Sequence, residues 1–140
     1  ILQRLAKGKG VMTEKQRITG LGGFFFRAKD PQALATWYDE NLGIDPVPSD
    51  YETQPWHQDE GPTVFAPFAH DTTYFGDDPS KTFMLNVRVD DLEKMVAQLR
   101  ANGNEVTLDE GNPYPNGLFA NVKDPEGNPI QIWQPQHNVD

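Results

Sequence analysis

Two stretches of this chain, 61 residues apart, follow the same plan, and that repetition constrains the fold more than any other feature. In the first, Leu21-Gly22-Gly23-Phe24-Phe25-Phe26-Arg27 reads as an aromatic-rich strand. Asp30-Pro31 then opens a helix, with Asp30 as N-cap and Pro31 at the first helical position, where its missing N–H costs nothing. Ala33, Leu34, Trp37, Tyr38 and Leu42 share one helical face, and Gly43 ends the element. In the second, Met84–Val89 reads as a strand, and Asp90 is expected to cap a helix with Glu93 completing a capping box. Leu92, Met95, Val96 and Leu99 form its apolar stripe, and Gly103 closes it.

The turns repeat as well. Asp59-Glu60-Gly61-Pro62 leads into Thr63–Ala66, and Pro125-Glu126-Gly127-Asn128 leads into Pro129–Ile132, now at an offset of 66. The five extra residues fit a longer loop in the second half. The fold class expected is α+β: two βαβββ modules form a curved mixed sheet around a concave pocket, with the helices on the convex side. In the second module the short strands are expected at 104–108, 118–122 and 129–133. In the first, Pro46, Pro48, Pro55, Pro62 and Pro67 break up the segments after the helix and predict ragged edges. One domain is expected over 18–135, with modules at 18–68 and 82–135 and a connector at 69–81. A flexible leader (1–17) and a tail (136–140) flank it.

Composition narrows the function classes. With no cysteine, thiolate catalysis, zinc–thiolate sites and iron–sulfur clusters are excluded, and a cytoplasmic location is expected. No apolar run approaches the roughly 18 residues of a membrane span, so no membrane partner is expected. The net charge of −9 is uneven: residues 1–19 carry +4 and the remainder −13. An acidic body lacks the basic face that phosphate contacts need, so nucleic acid is not expected as a partner.

Several segments together carry a family resemblance. They are Phe26–Pro31 leading into Trp37-Tyr38 and Asn41-Leu42-Gly43-Ile44, then Asn86–Leu92, and the closing Asp124-Pro125-Glu126-Gly127-Asn128-Pro129-Ile130. Over about residues 18 to 135 the chain resembles the vicinal oxygen chelate superfamily, which includes glyoxalase I, extradiol dioxygenases and bleomycin-resistance proteins. In metal-dependent members, one ligand sits on the first strand and one on the last strand of each half. Carried over, those positions are Gly23, Phe65, Met84 and Gln131, and the repeat pairs Gly23 with Met84 and Phe65 with Gln131. The family's divalent ion wants imidazole nitrogen and carboxylate oxygen. Glycine and phenylalanine offer no side-chain donor, methionine only a soft thioether, and glutamine one neutral oxygen. No metal and no cofactor are therefore expected.

If Gly23 faces the concavity, strand alternation puts Phe25 and Arg27 there too. The same parity gives Met84, Asn86 and Arg88, then Phe65, Gln131 and Trp133, with Phe119 and Asn121 joining because Leu118, Ala120 and Val122 make the better helix-facing set. Trp56, a loop aromatic, completes the candidate ligand-binding set. Arg27 and Arg88 either clamp an anionic group or pair with rim carboxylates. Tyr51, Phe68, Tyr74 and Tyr114 are further loop aromatics, read either as stacking lids or as seals over core or interface. His57 and His70 lie in loops and read as solvated, while Glu60 and Glu126 read as solvated turn residues that the repeat makes equivalent.

The function expected is that of a glyoxalase/bleomycin-resistance-like protein binding a small organic molecule in a metal-free pocket of a homodimer. The alternative is a glyoxalase-type enzyme, a lyase, isomerase or dioxygenase, using a displaced metal site or metal-free acid/base chemistry. No catalytic residue is assigned.

Overall fold

Helix α1 (Pro31–Leu42) forms where the cap signals place it in the computed structural model, which describes residues 15–136. Residues 1–14 of the leader and 137–140 of the tail lie outside the described residues. The Asp30 carboxylate accepts the Ala33 N–H at 3.1 Å, and Gly43, at φ 71°, donates its N–H to the Asp39 carbonyl at 3.0 Å. Only a residue free of a Cβ takes that left-handed position without cost.

Helix α2 (Leu92–Ala101) starts one residue later than the capping box predicts. Its cap is Asp91, not Asp90: the Asp91 carboxylate accepts the Lys94 N–H at 3.0 Å. Starting at Leu92 places Leu92, Val96 and Leu99 on the buried face. It also leaves the Leu92 N–H free for the Gln134 side-chain oxygen at 2.7 Å, which satisfies a second orphan donor of the first turn.

Four strands form one sheet: β1 (Leu85–Arg88), β2 (Thr107–Leu108), β3 (Gly117–Lys123) and β4 (Pro129–Pro135), in the order β1-β4-β3-β2. The β1–β4 pair is parallel, with α2 in the crossover, and the other two pairs are antiparallel. The second module is thus a complete βαβββ unit. Its core joins Leu92, Val96 and Leu99 of α2 and Leu34 and Tyr38 of α1 to Ala120, Val122, Ile130 and Ile132 of the sheet.

The first module contributes α1 but no strand among the described residues, so four strands stand where eight are expected. Pro62 and Pro67 bracket the Thr63–Ala66 segment and remove ladder donors at both of its ends. The alternation in the 21–27 segment nevertheless holds without a ladder. Phe24 and Phe26 turn toward Phe83, with ring centroids 5.2 and 5.9 Å away, while Phe25 points outward and is 96% exposed.

The turn before β4 locks the two modules together. Asp124 is buried and accepts four hydrogen bonds: from the Tyr38 hydroxyl at 2.7 Å, the Glu126 and Asn128 N–H groups at 2.8 and 3.0 Å, and the Asn128 amide at 2.7 Å. Glu126 is not the solvated turn residue expected. Its two oxygens accept the Lys29 and Asp30 N–H groups at 2.8 and 2.9 Å, so it holds the chain as it enters α1. Glu126→Ala frees both donors to water, and thermal denaturation should show a loss of about 1–2 kcal/mol, since both bonds are charge-assisted but exposed.

Candidate ligand-binding site

The sheet face opposite the helices carries the site. Successive strand residues alternate between faces, and register places those on neighbouring strands side by side, about 4.8 Å apart. Pairing of Asn86 with Gln131, Gln131 with Asn121, and Asn121 with Thr107 makes one row across the face. Pairing of Arg88 with Trp133 and Trp133 with Phe119 makes the next. Asp109 extends this second row beyond the end of β2, its N–H donating to the Phe119 carbonyl at 3.1 Å.

The first row is a chain of amides. Asn86 donates from Nδ2 to Gln131 Oε1 at 2.7 Å, and Gln131 donates from Nε2 to the Tyr74 hydroxyl at 2.8 Å. Tyr74 comes from the connector, where its ring stacks on Phe68 at 5.3 Å. It therefore lies over the sheet and lines two open cavities. One, of about 320 Å³, is lined by Tyr74, Asp109, Tyr114, Asn116 and Phe119. The other, of about 400 Å³, lies over Met84, Thr107, Asn121 and Lys123.

The second row is aromatic at its centre. The Phe119 and Trp133 rings are parallel to within 2°, with centroids 6.1 Å apart, and Tyr114 packs edge-on against Phe119 at 5.6 Å. Trp133 is fixed by an Nε1 bond to the Asn116 carbonyl at 2.9 Å. Asn112 brackets the Phe119 backbone, accepting its N–H and donating to its carbonyl. The Tyr114 hydroxyl donates to Asp109 Oδ1 at 2.6 Å, and the Gly111 N–H donates to the same oxygen at 2.9 Å. These bonds, the tyrosine's first, hold the Asp109 carboxyl below its ordinary range, and the same bond pushes the Tyr114 hydroxyl up.

Six of the residues expected at the site are brought together on this face: Asn86, Arg88, Phe119, Asn121, Gln131 and Trp133. Met84 joins them at the second cavity. Of the expected residues only Phe119, Asn121 and Met84 line either cavity; Phe25, Arg27, Trp56 and Phe65 lie off the sheet, and Phe65 is 82% exposed on a segment with no strand partner among the described residues. Arg88 donates from Nη2 to the Asp59 carbonyl at 3.2 Å, its one side-chain hydrogen bond among the described residues, and a side chain at Gly61 would collide with its guanidinium. His57 is exposed, its Nδ1 3.2 Å from the Pro55 carbonyl.

The metal that the resemblance implies does not fit the residues present. Of Gly23, Phe65, Met84 and Gln131, only Gln131 has an oxygen donor, and that oxygen already accepts from Asn86. Among the described residues no group of three or more His, Cys, Asp or Glu side chains is placed to hold an ion elsewhere. No helix among them is long and apolar enough to cross a membrane.

Asp109, Asn116 and Thr107 escape the sequence reading. Thr107 shares parity with Asn121 once the β2–β3 register is known, and Asp109 lies two residues on. The signal is the alternation itself, continued past the end of a strand into the loop.

Comparison with known proteins shows the family. A family model described as a glyoxalase-like domain matches residues 23–133. No curated protein matches the chain. Among solved structures it is similar to TnmS3, an antibiotic binding protein from Streptomyces sp. CB03234. Identity is 25% and the TM-score 0.57, over 87% of this chain and 100% of that one. It is also similar to a glyoxalase/bleomycin resistance protein from the same Streptomyces (33% identity, TM-score 0.33, 39% of this chain and 46% of that one). A third is TioX from Micromonospora sp. ML1 (15% identity, TM-score 0.48, 78% and 93%). The matched family spans the helix-backed βαβββ unit and both rows of its open face, and the chain belongs to the glyoxalase-like domain family of the vicinal oxygen chelate superfamily.

Proposed function

We propose that this protein binds a planar organic molecule on the open face of its sheet, without a metal ion. The observation that carries the reading is the parallel Phe119–Trp133 pair beside the Asn86–Gln131–Tyr74 amide chain. Trp133 and Gln131 are themselves buried, so the accessible parts of this surface are Phe119, Tyr74 and Asn86, which offer ring area for a flat molecule and polar groups at its margin to orient it. The likeness to TnmS3, an antibiotic binding protein, supports binding over turnover. The donor-poor set Gly23, Phe65, Met84 and Gln131 supports a metal-free site.

The working form is a homodimer in the cytoplasm. Phe25 and Phe65 lie on two extended segments that expose apolar side chains, and a second copy would cover them. Sedimentation that gives a single-chain mass at micromolar concentration would remove this part of the proposal.

Two assays test the binding reading together. Incubation with the hemithioacetal of methylglyoxal and glutathione, with nickel or zinc added, should give no turnover above background. Fluorescence titration with a planar polycyclic aromatic should give saturable quenching. Turnover without quenching is the result expected of the enzyme reading and overturns this one.

A further inference from the structure

We infer that the ligand of this face is a planar aromatic amine, its rings on Phe119 and its protonated nitrogen against Asp109. The inference rests on the binding reading above and names the chemical class that the site selects.

Position comes first. Asp109 stands at the end of the Arg88–Trp133–Phe119 row, tied to Phe119 through its backbone N–H, and it lines the 320 Å³ cavity with Phe119, Tyr74 and Tyr114. A ring lying on Phe119 therefore has a carboxylate at its margin. Arg88, at the other end of the row, is three strand spacings away, roughly 14 Å, and is engaged with the Asp59 carbonyl. It does not neutralise Asp109.

The second point is the use of the two oxygens. Asp109 Oδ1 accepts both the Tyr114 hydroxyl and the Gly111 N–H. Among the described residues Oδ2 accepts no hydrogen bond, and no basic group figures among the influences on the carboxyl. The carboxylate is thus fixed in orientation through one oxygen and presents the other. A group with N–H donors and a positive charge matches that oxygen; a neutral ring or an anion does not.

The third is the surroundings. Tyr74, Tyr114 and Phe119 bring three aromatic rings to the same cavity as the carboxylate, and ring faces attract a cation that sits against them. The net charge of −9 adds a long-range field that draws a cation in.

The test compares three flat probes of similar size on the full chain: 9-aminoacridine, a monocation at neutral pH; 9-anthracenemethanol, neutral; and 9-anthracenecarboxylate, an anion. The cation should bind tightest, and its Kd should rise with salt. Asp109→Asn should weaken it about tenfold while changing the neutral probe less than twofold, the neutral probe reporting that the site is still formed. Tyr114→Phe, which keeps the carboxylate and the ring, should retain the preference for the cation. If Asp109→Asn leaves the cation's affinity unchanged, or if the anion binds as tightly, the amine inference falls and the planar-binding reading stands. If Asp109→Asn abolishes all three equally, Asp109 is a loop-building residue and the inference falls. If no probe binds the unaltered protein, the binding reading fails and takes the inference with it.

Discussion

Asp124→Ala should lower the melting temperature by about 10–15 °C, the largest stability effect expected of a polar substitution in this chain. Asp124 is 4% exposed and its two oxygens take four donors: the Tyr38 hydroxyl, the Glu126 and Asn128 N–H groups and the Asn128 amide. A buried donor left without an acceptor loses about 1–3 kcal/mol, and alanine strands four at once. Partial entry of water holds the sum to roughly 3–4 kcal/mol, still a large part of the 5–15 kcal/mol that keeps a domain folded. Asp124→Asn separates bonding from volume. It has the same shape and one remaining acceptor, but its amide nitrogen faces donors, so its loss should be about half that of alanine. Tyr38→Phe removes one bond to a charged acceptor and should cost about 1.5–2 kcal/mol. Equal melting temperatures for the wild type and Asp124→Ala would show that this network does not hold the modules together.

The same network sets an alkaline limit. Burial, reinforced by the bond to Asp124, pushes the Tyr38 hydroxyl far above the ordinary tyrosine value of 10.0. A group whose pKa is raised by folding contributes its stability fully below its unfolded value. The contribution of Tyr38 is therefore intact up to about pH 10 and declines as pH rises further, because the unfolded chain ionises where the folded one resists.

The sequence makes the second module legible and the first only in part, for a physical reason. In the second, the β3 and β4 residues obey strict alternation, so Ala120, Val122, Ile130 and Ile132 face the helices while Phe119, Asn121, Gln131 and Trp133 share the opposite face, where Gln131 and Trp133 are themselves buried. Parity alone finds that set, because a strand in a register-locked sheet has no freedom to turn its side chains. In the first, Phe24 and Phe26 keep their parity by packing on Phe83, but among the described residues Phe25 and Phe65 have no neighbouring strand to carry them over the site. Parity says which way a residue points; it does not say whether a ladder exists to place it. The loops are less legible still. Tyr74 reaches Gln131 across 57 residues of sequence, and nothing local in the connector predicts that contact.

Phe119→Ala should weaken binding of a planar polycyclic ligand by about tenfold or more, since stacking on one ring is worth about 1–3 kcal/mol. Phe119 suits this test better than its stacked partner. Trp133 is 8% exposed, so its removal would mix lost binding with a lost core contact. Phe119 is half-buried, and its backbone is held independently by Asn112 and Asp109, so the strand should survive the loss of the ring. Circular dichroism should confirm an unchanged fold. Phe119→Leu then divides the effect, because leucine keeps much of the apolar area but has no ring face. An intermediate affinity assigns the difference to stacking. Wild-type affinity in Phe119→Leu reduces the surface to an apolar patch with no preference for flat ligands, and wild-type affinity in Phe119→Ala moves the site off this row altogether.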